Sequence, residues 1–182
     1  MDREDSALSE RMAGCRRVFS GRIFGVEDCD FVLPGGKMGR REIVRHVGAA
    51  AVVPVDGQGN VILVRQYRAP VGKVLMELPA GKLNSKGEDR RLAAERELRE
   101  ETGYAAGSWT HLTDLLTTPG FCDEVISLYL ATDLMRGEAQ PDEDEFLSAV
   151  RLPFDEAVRM ALCGELTDSK TIVGLLLARE RL

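Results

Sequence analysis

The alternation of apolar and polar positions along the chain predicts mainly strands in its first half. Residues 17–46 carry β-type side chains around Gly-containing turn signals, which is typical of strands joined by turns. A glycine-rich turn separates an apolar run at 48–56 from a second one at 61–65, and this spacing predicts a hairpin. Residues 1–16 are polar, and we expect them to be frayed or weakly helical.

The remaining chain combines further strands with three helices. From Asp89 to Thr102 strong helix formers dominate, and Gly103 fits a helix stop. Short strands are predicted at 74–78, 110–117 and 125–132. Apolar residues at helical spacing predict two terminal helices, the last with Thr167 or Asp168 as its N-cap. The order predicts a mixed α/β or α+β sandwich rather than a regular β-α-β array.

The composition narrows the class of function. The 182 residues include 30 acidic and 24 basic side chains, for a net charge of −6, whereas nucleic-acid-binding proteins are usually basic. The longest apolar stretches, at 48–55 and 171–178, fall far short of the roughly 20 residues that span a bilayer. The charged N-terminus shows no signal peptide. We therefore expect a cytoplasmic protein that binds neither nucleic acid nor membrane.

The cysteine pattern argues against structural metal and disulfide scaffolds. The four cysteines, at 15, 29, 122 and 163, lack Cys-x-x-Cys spacing, and the chain has only two histidines. A zinc finger is therefore excluded by its ligand requirements. The size of the chain and its low cysteine density also argue against a disulfide framework. We expect four free thiols in a reducing compartment.

Acidic side chains converge on one face of the predicted helix. Glu97, Glu100 and Glu101 share this face, although the like-charge pair Glu97–Glu101 costs a helix roughly 0.2–0.5 kcal/mol. Glu95 and Arg99 form a favourable i, i+4 pair nearby, but we expect no cation beside the three carboxylates. A hard divalent ion such as Mg²⁺ or Mn²⁺ would satisfy these oxygens. A solvated charged helix face is the alternative, and spacing does not decide between them.

A longer motif resembles a known family. Gly81, Glu88 and the run Arg96–Tyr104 resemble the Nudix box, in which Gly, five residues, Glu and seven residues precede Arg-Glu-aliphatic-x-Glu-Glu-x-Gly-aliphatic. This chain has six residues between Gly81 and Glu88, and Tyr104 occupies the final aliphatic position. The extra residue falls in a polar loop, where insertions are tolerated. The resemblance implies a divalent-metal site in a Nudix α/β/α sandwich with a mixed sheet, which hydrolyses substituted nucleoside diphosphates.

Other segments resemble the ADP-ribose pyrophosphatase branch of that family. They are Arg65–Arg68, Met76–Gly81, Thr118–Glu124, with Pro119 sixteen residues after Gly103, and the acidic loop Asp142–Phe146. The branch implies cleavage of ADP-ribose to AMP and ribose 5-phosphate. It also implies a homodimer in which an N-terminal antiparallel β segment, residues 1–46, is exchanged between subunits ahead of a Nudix domain at 47–182.

The resemblance assigns roles position by position. The implied metal ligands are the Ala80 carbonyl, Glu97, Glu100, Glu101 and Glu145. Glu143 or Glu145 would orient or deprotonate the attacking water, and Glu100 is a further catalytic candidate. The implied substrate contacts are Phe24, which would stack on adenine, Arg41 from the partner subunit, Arg68 at the phosphates, Lys82, Thr118 and Glu124. Arg96 and Glu88 are expected to form a structural ion pair on the helix side away from the carboxylates.

Three alternatives to ADP-ribose hydrolysis differ in what the site does. A Nudix hydrolase of another nucleoside diphosphate sugar, such as GDP-mannose, would share every metal residue. A non-catalytic regulator that senses ADP-ribose would carry a DNA-binding module, yet the residues after 150 predict only core-completing helices. A purely structural domain would leave the three clustered glutamates unexplained.

Overall fold

The computed structural model describes residues 7–137 and 146–182, whose contacts divide them into two units. The N-terminal unit consists of the described part of Met1–Val47 together with Thr118–Glu124. The main unit consists of Gly48–Thr117 and the described part of Val125–Leu182. The candidate metal ligands that the structure describes all belong to the main unit.

The N-terminal unit is built on a three-stranded antiparallel sheet. Its strands are β1 (Arg11–Ser20), β2 (Phe24–Val32) and β3 (Met38–His46), in the order β1-β2-β3. Gly35 and Gly36 adopt φ of 85° and 86° in the turn before β3, a conformation that favours glycine. The expectation that residues 1–16 are frayed or weakly helical is wrong for residues 11–16, because β1 pairs with β2 from Arg11 onward.

The expectation of four free thiols is also wrong. Cys15 on β1 lies directly opposite Cys29 on β2, and the two form a disulfide. Antiparallel register brings opposed side chains to within about 5 Å between Cβ atoms, so two cysteines 14 positions apart in sequence can meet. Cys122 and Cys163 are free, as expected.

The main unit contains two sheets and three helices. Its elements are β4 (Ala49–Pro54), β5 (Asn60–Arg68), a 3₁₀ turn (Ala69–Val71), β6 (Lys73–Glu77), β7 (Ala80–Lys82), α1 (Arg90–Thr102), β8 (Tyr104–Leu116), β9 (Val125–Arg136), β10 (Leu147–Pro153), α2 (Phe154–Leu162) and α3 (Ser169–Arg179). The larger sheet has the order β7-β4-β9-β8, with β4 and β9 parallel, and the smaller antiparallel sheet has the order β10-β5-β6.

The predicted hairpin between 48–56 and 61–65 does not form. A turn is present, and Asp56 stabilises it by accepting hydrogen bonds from the Gln58 and Asn60 backbone N–H groups at 2.9 and 3.0 Å. Both edges of β4 are occupied by β7 and β9, so only an isolated Val55–Val61 bridge links the two strands. The chain therefore passes from one sheet to the other at this turn.

Helices α1 and α3 pack against strand β4 of the larger sheet. α3 packs so closely that a Cβ on Gly174 would lie 2.6 Å from Leu78 Cδ1 and 3.1 Å from Val53 Cγ2. α1 packs against the same strand, β4, and buries its own Ala93, Ala94 and Leu98. The mixed α/β class predicted from the pattern is confirmed. None of the described helices has the length and apolar character needed to cross a membrane.

Candidate active site

Local sequence determines the bounds of helix α1. The Asp89 carboxylate accepts hydrogen bonds from the backbone N–H groups of Arg91 and Leu92, at 2.9 and 3.0 Å, and so caps the first turn. At the other end Gly103 adopts φ of 73° and donates to the Arg99 carbonyl. The helix predicted at 89–102 is thus confirmed, with Asp89 as its cap.

Two of the predicted metal-binding glutamates lie on the buried side of this helix. Glu97 is 6% exposed and Glu101 is 3% exposed, whereas Glu100 is half-buried. The Ala80 backbone N–H donates to Glu101 Oε2 at 3.1 Å. The structure therefore brings Ala80, at the start of β7, against the carboxylate helix. Buried carboxylates are costly unless they are partnered, and this hydrogen bond is one of the contacts that offset the burial of Glu101.

The glycine that follows Ala80 leaves the space for Glu97. A Cβ placed on Gly81 would overlap the carboxylate group of Glu97. This position therefore requires glycine for space. The Glu97 carboxylate thus lies against Gly81, the residue that follows Ala80.

Arg96 corrects two of the sequence-based expectations. Its Nη1 atom donates to Glu97 Oε1 at 2.6 Å and to Glu100 Oε2 at 3.1 Å, so a cation does lie beside the acidic cluster. Burial lowers the pKa of Arg96, but the neighbouring carboxylates outweigh this effect and raise it above the ordinary value. The expected pair with Glu88 is present at 3.6 Å, but Glu88 precedes the helix cap, and Arg96 is not on the far side of α1.

The donor set fits a hard divalent cation. Glu97, Glu100, Glu101 and the Ala80 carbonyl offer only oxygen, and Mg²⁺ and Mn²⁺ prefer carboxylate and carbonyl ligands. Among the described contacts, Arg96 pairs with two of these carboxylates, Glu97 and Glu100. The residues present therefore suit a magnesium-type ion better than a soft metal.

Arg68, at the end of β5, is held by a buried carboxylate. Its Nε and Nη2 atoms donate to Glu77 Oε1 and Oε2, both at 2.9 Å. The hydrogen bonds from Glu77 raise the pKa of Arg68 despite its partial burial, and the charges of Glu101 and Asp168 act in the same direction. Arg68 thus lies within electrostatic reach of the carboxylate helix. Its predicted contact with substrate phosphates stays a prediction.

Sequence reasoning did not identify the partners of Arg68. Glu77 is 1% exposed and also contacts the Lys170 ammonium, which is itself buried. The sequence does contain a signal, since Glu77 is the only acidic residue in the otherwise apolar strand predicted at 74–78. A lone acid at a buried strand position requires a cationic partner.

Lys82, the last residue of β7, lies beside the carboxylates of helix α1. Its side chain is exposed, and its backbone carbonyl accepts a hydrogen bond from Arg96 Nη2 at 3.3 Å.

The other predicted substrate residues belong to the N-terminal unit. Phe24, 43% exposed, begins β2 and pairs with the Phe19 ring at a centroid distance of 5.6 Å. Arg41 donates from Nη2 to Glu10 Oε1 at 2.5 Å.

Arg41 also borders a cavity of the N-terminal unit. The cavity has a volume of about 360 Å³ and is lined by Glu10, Arg41, Glu42, Ile43 and the segment Pro119–Asp123. This volume falls within the range of small-molecule sites. Arg41 thus lies at a concave surface, and its contact with substrate stays a prediction.

The segment that contains Thr118 and Glu124 is fastened to β3 by polar contacts. The Asp123 carboxylate accepts from the His46 backbone N–H at 2.7 Å and from Arg45 Nη1 at 3.3 Å. Glu124 Oε1 lies 3.3 Å from His46 Nδ1, and the Thr118 carbonyl closes a turn within the segment. Asp123 was not among the predicted site residues. The two predicted catalytic residues Glu143 and Glu145 lie outside the described residues.

Comparison with known proteins identifies the family. A family profile described as NUDIX domain matches residues 44–172. The chain belongs to the Nudix family. The matched range contains every predicted metal ligand and both capped ends of helix α1.

Individual relatives extend the likeness over nearly the whole chain. The methanol dehydrogenase activator of Bacillus methanolicus is 43% identical over 92% of this chain and 91% of its own length. The ADP-ribose pyrophosphatase of Bacillus subtilis (strain 168) is 40% identical over 91% of this chain and 90% of its own. A crystal structure of an ADP compounds hydrolase superimposes with a TM-score of 0.82 at 27% identity, covering 96% of this chain and 94% of that one. These matches confirm the predicted Nudix fold and an enzyme of the Nudix hydrolase class.

The Gly81 contact gives a direct test of the Nudix box geometry. In Gly81→Ala the new methyl group displaces the Glu97 carboxylate, and since about 1 Å of misplacement can cost roughly 100-fold, we expect kcat/KM to fall by about that factor. Gly87→Ala is the matched control, because a Cβ on Gly87 meets no atom within 4 Å. Steady-state kinetics with a Mg²⁺ titration measures both variants. Equal activity of Gly81→Ala and wild type would contradict the assigned contact.

Proposed function

We propose that this Nudix hydrolase cleaves the pyrophosphate bond of ADP-ribose to give AMP and ribose 5-phosphate. The observation that carries the proposal is that Glu97 and Glu101 of helix α1 both lie against the Ala80–Gly81 backbone. The name and 40% identity of the Bacillus subtilis relative support ADP-ribose as the substrate. Regulation without catalysis is disfavoured, because all three glutamates of the box are retained.

A divalent cation, Mg²⁺ or Mn²⁺, belongs to this proposal. Glu97, Glu101 and the Ala80 carbonyl would hold it, with Glu100 as a further ligand, and Arg96 would yield part of its contact with Glu97 and Glu100. When bound, such an ion neutralises the charge of the pyrophosphate and favours deprotonation of water. The protein itself would supply the oxygen ligands, carboxylates of helix α1 and the Ala80 carbonyl of β7.

The attacking water requires a base from this chain. Glu143 or Glu145, which lie outside the described residues, are proposed to orient the water and accept its proton, with Glu145 also near the metal. Glu100 is the alternative base on helix α1, since its side chain is only half-buried. The two histidines are not required by this chemistry.

Several side chains are proposed to bind the substrate. Arg68 is proposed to bind a phosphate oxygen of the substrate, because a guanidinium matches phosphate geometry. Lys82 would contribute a second positive charge beside the carboxylates of helix α1. Phe24 would stack on adenine and Arg41 would contact adenine or ribose. Thr118 and Glu124 would contact the substrate from the segment fastened to β3.

A homodimer is the proposed assembly, with the N-terminal β segment exchanged between subunits. The N-terminal unit exposes several large apolar side chains, namely Met12, Val18, Phe19, Ile23, Phe24 and Met38. Exposed apolar side chains on one unit are typical of surfaces that bind a partner. We propose the cytoplasm as its compartment.

A substrate panel tests the proposed function. Wild-type protein with Mg²⁺ is expected to release phosphomonoester products from ADP-ribose faster than from GDP-mannose, ADP-glucose, NADH or diadenosine polyphosphates. Chelator should abolish turnover of every compound, because the pyrophosphate charge is then left without a cation. Faster turnover of GDP-mannose would retain the metal site and refute the substrate assignment. Tight binding of ADP-ribose without turnover would refute the enzyme and favour a sensor.

A further inference from the structure

Four charged side chains form a cluster next to the candidate active site. Glu77 ends β6, Arg68 ends β5, and Asp168 and Lys170 lie at the start of α3. Glu77 and Lys170 are buried, Asp168 is largely covered and Arg68 is partly exposed. The cluster therefore has an inner end at Lys170 and an outer end at Arg68.

The contacts run from the inner end to the outer end through one carboxylate. The Lys170 ammonium contacts Glu77 Oε2 and lies 3.1 Å from Asp168 Oδ2. The same Glu77 Oε2 accepts from Arg68 Nη2, while Glu77 Oε1 accepts from Arg68 Nε. The Glu77 carboxylate therefore contacts Lys170 and Arg68 at the same time.

Stability alone does not account for a buried cluster of this kind. Apolar residues of similar volume stabilise a core as well as buried ion pairs do, or better, because the desolvation of the charges is avoided. Of the hydrogen bonds among the described residues, those of Arg68 use Nε and Nη2, which leaves Nη1 available for an additional acceptor. The geometry thus presents a fixed guanidinium edge.

The same end of α3 also holds the chain segment that leads into the metal site. The Leu78 backbone N–H donates to Thr171 Oγ1 at 2.8 Å, and the Thr171 hydroxyl donates to Asp168 Oδ2 at 2.6 Å. Leu78 lies two residues before Ala80, whose backbone N–H reaches Glu101. The start of α3 therefore supports two parts of the site, the Ala80 segment and Arg68.

We propose that Lys170 is a positioning residue that acts through Glu77 to hold the Arg68 guanidinium against a phosphate of the substrate. The inference rests on the proposed function, since it requires Arg68 to bind the pyrophosphate. Lys170 itself touches no substrate. Its loss frees the Glu77 carboxylate to rotate, and the guanidinium moves with it.

A double-mutant cycle on ADP-ribose hydrolysis tests this inference. Lys170→Met is expected to raise KM by roughly tenfold with less than about a twofold change in kcat, which is the result of losing an interaction made equally in the ground and transition states. In an Arg68→Gln background the same substitution should leave KM unchanged, because the two residues act in series. Lys170→Arg, which keeps the charge, should restore KM.

Controls separate positioning from general effects. Lys73→Met removes an exposed positive charge opposite Arg68 in the β5–β6 register and should leave KM unchanged. Thermal unfolding is measured for every variant, and Lys170→Gln replaces Lys170→Met in the cycle if the methionine variant does not fold. Additive effects of Lys170 and Arg68 on KM, or a lowered melting temperature with an unchanged KM, would overturn the inference.

The wild type distinguishes this inference from the proposed function. If wild type hydrolyses another compound of the panel instead of ADP-ribose, the substrate assignment fails, and the cycle is run on that compound. If wild type binds ADP-ribose without turnover, the dissociation constant measured by calorimetry replaces KM in the cycle. If wild type neither binds nor hydrolyses any compound of the panel, both proposals are refuted.

Discussion

Glu97→Gln is expected to remove nearly all Mg²⁺-dependent hydrolysis, with kcat lower by roughly 1,000-fold, or about 4 kcal/mol. Glu97 is a buried carboxylate that lies against Gly81, and the charge neutralisation supplied by a catalytic cation is worth several kcal/mol. The amide has nearly the same size and lacks the negative charge. The measurement is the initial rate of ADP-ribose hydrolysis across a Mg²⁺ titration.

The fold is expected to survive this substitution. Arg96 retains its hydrogen bond to Glu100 when Glu97 is neutral, so no cation is left unpaired. Glu95→Gln is the matched control, because Glu95 lies on the same helix and has a side chain that is 37% exposed. Its partner in the structure is Arg91, whereas the sequence had indicated Arg99. The control should keep wild-type kcat. A Glu97→Gln variant within tenfold of wild type would exclude Glu97 from the metal site.

Local signals in the sequence predicted helix α1 well. Asp89 and Gly103 act within one turn of the helix ends, so their roles follow from residue type and position alone. The convergence of Glu97, Glu100 and Glu101 likewise follows from helical periodicity. Ala80 is different, because only the resemblance to the Nudix family linked it to this helix, and the structure then showed its contact with Glu101.

Contacts between distant residues were the ones that sequence reasoning missed. Arg96 is an exception, because its partners Glu97 and Glu100 lie within one helical turn and the i, i+4 spacing to Glu100 is itself a local signal. Lys170 and Glu77 are 93 positions apart, and no periodicity connects them. The Val55–Val61 bridge shows the same limit for strands, since β4 pairs with partners far along the chain instead of forming the nearby hairpin.

Glu77→Gln is expected to destabilise the folded protein by roughly 3–5 kcal/mol, since removing one member of a buried ion pair leaves its partners uncompensated. Arg68 and Lys170 both depend on the Glu77 carboxylate, and Asp168 alone would then neutralise Lys170. For a domain of this size the change corresponds to a fall in melting temperature of about 10 °C. Thermal and urea unfolding at neutral pH measure the change in free energy.

An exposed ion pair provides the control for Glu77→Gln, and the pH dependence of stability provides a second test. Glu156→Gln breaks an exposed pair with Arg159 and should cost less than about 1 kcal/mol.

Burial raises the pKa of Glu77, but the hydrogen bonds and charges of Arg68 and Lys170 outweigh this effect and hold it below the ordinary value of 4.5. A carboxyl with a depressed folded-state pKa stabilises the fold above its unfolded pKa, and this contribution is lost as the pH falls through the folded value. The stability difference between wild type and Glu77→Gln should therefore be constant at neutral pH and shrink on acidification below about pH 4.5. A difference that persists unchanged in acid would show that Glu77 stabilises the fold by packing rather than by its charge.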